Sequence, residues 1–318
     1  MELMQLEMFV AMVEEGNFHK AAEKVFRTQP AVSMALRKLE REIGSPLFDR
    51  SSRNAYVLTD TGVVLYEHAR RLLNLRDETI VALEELHSLQ TGRIRLGANE
   101  SASLFLLPRL ILAFREKYPK IKIEVIRQLS ERLPYELRQR NLDFAILSFQ
   151  PEEGDLEATP IMRDELVLIA APDHSFAGQE RVQIPDLGGE SFIVHQARSS
   201  SRKKVLNAFR KSQTPFNVTI EISTIETVKK FVAMKLGLAF VPRMCVSDEL
   251  ARGELVIIPV DDFHHERTLW LVRRRTDPQS HAAQAFLRVI AQLAEERLQT
   301  AELPASPGKG EMASGTIN

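Results

Sequence analysis

The sequence predicts a multidomain chain: an all-α helix-turn-helix unit with a small wing at its amino end, one long helix, and an α/β unit of two similar halves. Three observations carry this. Residues Asn17 to Ile43 hold two short amphipathic segments separated by a tight turn. Residues 59–89 keep one helical apolar seam without a proline. From Arg93 onward, short β-branched runs alternate with helical segments, the signature of strands in a covered parallel sheet. At 318 residues the chain is too long for one typical domain, and its 44% hydrophobic content is ample for more than one core.

Taken in order, Leu3, Leu6, Phe9, Val10 and Val13 recur at helical spacing, and Gly16 is placed to end that helix in a left-handed conformation. Asn17 caps a second helix in which Phe18, Ala22 and Val25 share a face, while the small Ala21 and Ala22 let a neighbour cross closely. Thr28 is expected to cap the third helix with its hydroxyl accepting an orphan N–H, and Pro30 falls in the first turn, where a missing N–H costs nothing. At ~100° per residue, Val32, Leu36, Leu39 and Ile43 share one arc, and Pro30, Ser33, Met34, Arg37 and Arg41 project from the other. One face packs and the other is free to read a groove, which is helix-turn-helix geometry. Beyond Gly44, SPLFDRSSRNAYVLT reads as a two-stranded wing turning at Ser51 to Asn54, with Arg50 and Arg53 at its tip.

Two capped helices also occur in any small bundle, so charge decides between the readings. Between Gly16 and Leu58, eight basic residues stand against four acidic ones, whereas the whole chain carries −1. Positive charge is therefore concentrated here, and affinity for a polyanion has to come from this patch and its repetition in an oligomer. The patch supplies a sequence-independent phosphate term, and Gln29, Ser33, Met34 and Arg37 are the candidates for base edges. Thr28, Pro30, Lys38, Arg41, Arg50 and Arg53 complete the candidate DNA-contact set.

Thr59 caps the long helical pattern, which runs to about Leu89. Leu65 or Tyr66, Ala69, Leu72, Leu73, Ile80, Leu83 and Leu86 form a roughly heptad seam, which favours a coiled-coil contact with a second copy. Such pairing sets two reading helices against two half-sites. Arg76 interrupts the stripe and is expected to face solvent. Gln90, Thr91 and Gly92 read as a hinge. The strands and helices that follow divide into halves of about Arg93 to Met162 and Arg163 to Arg267, with a cleft between them.

In open α/β sheets a ligand binds beyond the carboxyl ends of strands, where helix starts present N–H groups and partial positive charge. Three segments fit. Asn99 to Ser103 follows strand RIRLGA and offers Ser101 and Ser103. QARSSSRKK follows strand SFIVH and offers Ser199, Ser200 and Arg202. Thr224 follows strand TIEIS and caps a helix from Ile225 to Leu236. All three favour a small anion, and His195 stands at a strand end beside them. Capping explains each hydroxyl singly; their convergence on one cleft points to a site.

The run FVAMVEEGNFHKAAEKVFRTQPAVSMALRKLEREIGSPLFDR, followed by LTDTG, resembles the N-terminal winged helix-turn-helix of LysR-type transcriptional regulators. The AA pair, the QPAVS opening, the LE pair, the G-x-PLF-x-R turn and the LT-x-x-G start appear in order over about the first ninety residues. The remainder matches in size and element order. Met34 departs from the polar or basic residue the family often places after QPAVS. The resemblance implies a regulator that binds a double-stranded operator as a homodimer or homotetramer and meets RNA polymerase if it activates. It also implies a periplasmic-binding-protein-like effector domain of two Rossmann-like halves, with the chain returning to the first half near Thr268. Effector contacts are then expected at Ser101, Ala102, Ser103, His195, Ser199, Ser200, Arg202 and Thr224. The expected division is 1–58 winged head, 59–90 linker helix and 91–300 effector domain, whose first half takes 93–162 with 268–299 and whose second takes 163–267. A disordered tail is expected over 301–318.

Other classes fit poorly. The sequence has neither a G-x-S-x-G elbow nor an H-E-x-x-H motif, and adjacent His264 and His265 on a strand would point to opposite faces. No enzymatic activity and no cofactor are therefore expected. Gly308-Lys309-Gly310 lacks the P-loop spacing. The lone Cys245 has no second thiol and sits in apolar context, so a buried structural thiol is expected. A solute-binding module alone would suit the residues beyond Arg93 but leaves the first ninety unexplained. No apolar run approaches the length of a membrane span, and MELMQLEMF lacks the basic start of a signal peptide, so a cytoplasmic protein without membrane contact is expected.

Overall fold

Helix α1 (Leu3–Glu15) ends at Gly16, whose φ of 58° lets its N–H turn back to Met12 O. The computed structural model describes residues 1–49, 57–87, 92–152, 154–196, 200–276 and 280–300. The Asn17 side chain accepts from the N–H groups of His19 (2.7 Å) and Lys20 (3.3 Å) and so starts α2 (Phe18–Lys24). Ala21 and Ala22 are buried, as a close crossing demands. Helix α3 (Gln29–Ile43) buries Val32, Leu36 and Leu39 and stops at Gly44, φ 76°. One expectation fails here: Thr28 holds the cap position, but its hydroxyl makes no capping hydrogen bond. Pro30, second in the helix, has removed one of the two amides a cap oxygen ordinarily reaches. Strands β1 (Phe48–Asp49) and β2 (Val57–Leu58) pair antiparallel as the base of the wing. The wing turn, with Arg50 and Arg53, lies outside the described residues.

Thr59 does cap α4 (Asp60–His87), its Oγ accepting from Gly62 N–H at 3.0 Å while donating to Pro46 O at 2.7 Å. The expected seam divides in two. Leu65, Tyr66, Ala69 and Leu73 pack on the core of the N-terminal unit, leaving Leu72, Ile80 and Leu83 exposed beside Leu75. Arg76 does not face solvent freely. It pairs with Glu7 on α1 and with Asp77, and these carboxylates raise its pKa.

The α/β unit begins with β3 (Gly92–Ala98) and a π-helical turn at Ala102–Leu106 that runs into α5 (Leu107–Lys117). Strand β4 (Ile121–Arg127), α6 (Leu133–Arg138) and β5 (Phe144–Leu147) follow, then the fifteen-residue β6 (Leu156–Ala170). Next come β7 (Ser191–His195), α7 (Ser200–Lys211), β8 (Asn217–Ile222) and α8 (Ile225–Ala233). The chain closes with β9 (Ala239–Pro242), α9 (Ser247–Arg252), β10 (Val256–Ile258), β11 (Glu266–Arg274) and α10 (His281–Thr300).

The sheet is mixed rather than all parallel. Strand β3 runs parallel to β4 and β5, but β11 is antiparallel to β5 and to β6. Strand β6 is the crossing: its first ten residues pair with β11, and its last five turn to β9 and β10. Two halves result, with β6 and β11 as the two strands that join them. The first half packs around Phe114, Phe144 and Phe286, and the second around Phe192, Phe209 and Phe240.

One polar cluster fastens α4 to the first half. The Glu78 carboxylate accepts from Arg140 at 2.5 Å, Arg95 at 3.0 Å and Arg274 at 3.3 Å. Burial works against the charge of Arg95, but Asp143 and Glu78 outweigh it and hold its pKa above the ordinary value. One turn earlier, Asn74 Nδ2 donates to Gln139 O at 2.8 Å and to Asn141 Oδ1 at 2.7 Å.

Candidate DNA-reading face and effector cleft

Helix α3 turns its polar side outward. Thr28, Gln29, Pro30, Arg37, Lys38 and Arg41 are exposed, Met34 is 70% exposed, and Ser33 is half-buried. Between this helix and the base of the wing lies an open groove of about 1440 Å³, lined by Thr28, Pro30, Met34, Arg37, Lys38 and Arg41 among others. The charges here are lightly held. Lys38 Nζ sits 3.0 Å from Glu2 Oε1, Arg41 Nε donates to Arg37 O at 3.3 Å, and Arg37 forms no ion pair among the described residues. An exposed surface pair of this kind is screened by solvent and contributes little, so a phosphate can replace the partner.

The second site lies between the halves, a cavity of about 710 Å³. The first half lines it with Asn99, Glu100, Ser101, Arg127, Gln128, Ser130 and Phe149; the second contributes His195, Gln196, Ser201, Arg202, Ser223 and Ile225. Asn99 organises the first edge: its Oδ1 accepts from Ala102 N–H at 2.9 Å and Ser101 Oγ at 3.1 Å, and its Nδ2 donates to Ser130 Oγ at 2.9 Å. His195 Nε2 lies 2.8 Å from Glu100 Oε2 and 3.0 Å from Ser223 O. Arg202 donates to Glu221 at 2.5 Å. On the cavity floor, Arg267 meets Asp164 across the strand pair that joins the halves. The aligned bond is Nε to Oδ2 at 2.8 Å; the terminal nitrogen reaches the same oxygen at 2.7 Å but at an angle that leaves it without a regular hydrogen bond. Their side chains are 7% and 3% exposed.

Of the residues expected around an effector, Ser101, His195 and Arg202 line this cavity. Ala102 instead belongs to the core of the first half. Ser103 donates its N–H to Asn99 O, and its hydroxyl is buried without a partner among the described residues. Thr224 Oγ faces its own helix, accepting from Thr227 N–H at 3.3 Å. Ser199, and the side chain of Ser200, lie outside the described residues. Glu100, Arg127, Gln128, Ser130 and Arg267 were not anticipated. The rule that ligands lie beyond strand carboxyl ends also covers the end of β4, and applied there it finds Arg127 to Ser130. Cys245 is buried, and burial pushes its thiol well above the ordinary 9.0.

A groove-reading helix, a long helix with an exposed apolar stripe and a two-lobed cleft define a DNA-binding regulator governed by a small ligand. Residues 3–63 match the family model described as bacterial regulatory helix-turn-helix protein, lysR family, and residues 87–295 match LysR substrate binding domain. The chain belongs to the LysR family of transcriptional regulators, whose members bind DNA and small effectors and are not enzymes. It is 35% identical over 292 residues to a probable RuBisCO transcriptional regulator of Trichormus variabilis, covering 90% of this chain and 86% of that one. Among solved structures, the Synechocystis CcmR regulatory domain in complex with 2-PG is 30% identical with a TM-score of 0.59, covering 65% of this chain and 98% of that one. CbnR, a LysR family transcriptional regulator, shares the fold with a TM-score of 0.69 at 18% identity, over 92% of this chain and 99% of that one.

Proposed function

We propose that the effector is a small anion held between the two halves, and that its binding changes how paired reading helices are presented to an operator. The observation that carries this is the donor-rich cleft: Arg127, Gln128 and Ser130, at the end of β4 and just beyond it, face Ser201 and Arg202 in the first turn of α7 across one cavity. The similar CcmR domain bound to 2-PG supports the same chemistry. Residues 1–58 form the DNA head, in which Thr28, Gln29, Pro30, Ser33, Met34, Arg37, Lys38 and Arg41 touch the operator. Residues 59–90 are the linker and residues 91–300 the effector domain, followed by a tail over 301–318.

The exposed Leu72, Leu75, Ile80 and Leu83 on α4 support pairing with a second copy, in a homodimer or homotetramer. The protein acts in the cytoplasm, and an activating form meets RNA polymerase at the promoter. The ligand shifts the assembly only as far as it binds one arrangement more tightly than the other.

The test is footprinting of the full chain on the region upstream of its own gene, at several salt concentrations, with and without 2-PG and other metabolite anions. Sequence preference, a steep salt dependence and an anion-dependent change of footprint are expected. A footprint indifferent to every anion at millimolar concentration overturns the effector assignment.

A further inference from the structure

The cleft contains an acid of its own. Glu100 stands in the first turn after β3, its side chain only 6% exposed. Its partners are not confined to its own half. Oε1 accepts from the N–H of Ile225, the first residue of α8, at 3.2 Å. Oε2 lies 2.8 Å from His195 Nε2 and 3.3 Å from the Arg127 guanidinium. Ile225 and His195 belong to the second half, whereas Glu100 and Arg127 belong to the first, so this one carboxylate spans the cavity.

The geometry fixes the direction of these contacts. The neighbours of His195 Nε2, a carboxylate oxygen and the Ser223 carbonyl oxygen at 3.0 Å, both accept, so the nitrogen carries the hydrogen and donates to Glu100. A helix-start amide, an imidazole N–H and a guanidinium are together the donors an anionic ligand would use. Here a side chain of the protein holds all three. A buried carboxylate deprived of such partners is strongly disfavoured, so Glu100 does not give up its seat without compensation.

We propose that Glu100 is a built-in counter-anion, tying the second half to the first through the donors that the effector engages. Ligand entry is then an exchange. The incoming anion takes the N–H groups of Ile225 and His195 and pairs with the Arg127 guanidinium, while the Glu100 carboxylate swings out to be hydrated by water. Affinity for the anion is lowered by the fraction of molecules in which Glu100 keeps the seat, and release of the tie is the step that lets the halves move. This inference rests on the reading of the cleft as an effector site for a small anion.

The experiment uses the full chain with Glu100→Ala and Glu100→Gln, the second keeping the side-chain volume should the first fold poorly. Calorimetric titration with 2-PG and with inorganic phosphate is read alongside operator footprinting. Removal of the competing charge is expected to tighten binding of at least one probe by about tenfold or more, because the competent fraction rises. The footprint of either variant without added anion is expected to shift towards that of the native protein with it. Native and variant proteins that bind a probe equally well, or a variant that binds it more weakly, overturn the exchange while leaving the anionic effector in place. Failure of native and variant proteins alike to bind either probe, with operator binding intact, overturns both.

Discussion

The outward face of α3 and the floor of the cleft between the halves both carry arginine, and they treat it in opposite ways. On α3, Arg37 and Arg41 stand in water with only light local ties. In the cleft, Arg267 is buried against Asp164, and Glu100 is held by donors from both halves. The difference follows from the partner each surface awaits. A duplex brings dense negative charge and is met by side chains left hydrated and adaptable. A small ligand brings few contacts, so its pocket must already be ordered, and an ordered, dry pocket has to satisfy its own polar groups first.

The comparison is broken or sharpened most strongly on the cavity floor. Arg267→Ala leaves Asp164 buried without its counter-charge and is expected to destabilise the chain by about 3–5 kcal/mol, read as a drop in the urea midpoint at constant slope. A loss below about 1 kcal/mol would place this pair with the hydrated surface pairs instead. Next in size, Arg37→Ala is expected to cost about 1–3 kcal/mol of operator affinity, with preference relaxed at one base pair. Its unfolding midpoint should stay at the native value; a fall there would mean that Arg37 also holds the fold.

Smaller effects separate the two helix starts of the head. Asn17→Ala removes an oxygen that serves two amides and is expected to cost about 1 kcal/mol of stability. Thr28→Ala removes a hydroxyl that caps nothing, so thermal unfolding should move by no more than about a few tenths of a kcal/mol, below the usual cap value. A Thr28 effect as large as that of Asn17 would show that its hydroxyl does reach an amide.

The head was legible because its signals are local. Gly16, Asn17, Pro30 and Gly44 punctuate three helices within thirty residues, and the burial of Val32, Leu36 and Leu39 follows directly from their spacing. Thr28 carries the sequence signature of a cap without forming one, because Pro30 is both a helix-start signal and a missing donor. In the α/β unit, the alternation of elements was plain, but the direction of β6 and β11 was not, since an apolar run looks the same in either sense. Cleft residues found by their capping pattern include some whose hydroxyls bond within their own helix start, as Thr224 does with Thr227. Glu100 was invisible for a related reason. An acid in the first turn of a helix is ordinary, and its two partners in the other half lie 95 and 125 positions away in sequence.

The Glu78 cluster carries a consequence for how the molecule holds together. Three arginines from the effector domain converge on one residue of α4, with Asn74 adding bonds a turn away, so the peptide link at 88–91 is not the sole attachment between them. A chain nicked by protease between His87 and Gly92 should therefore migrate as a single particle in dilute buffer. The scissors would have cut the string and left the knot.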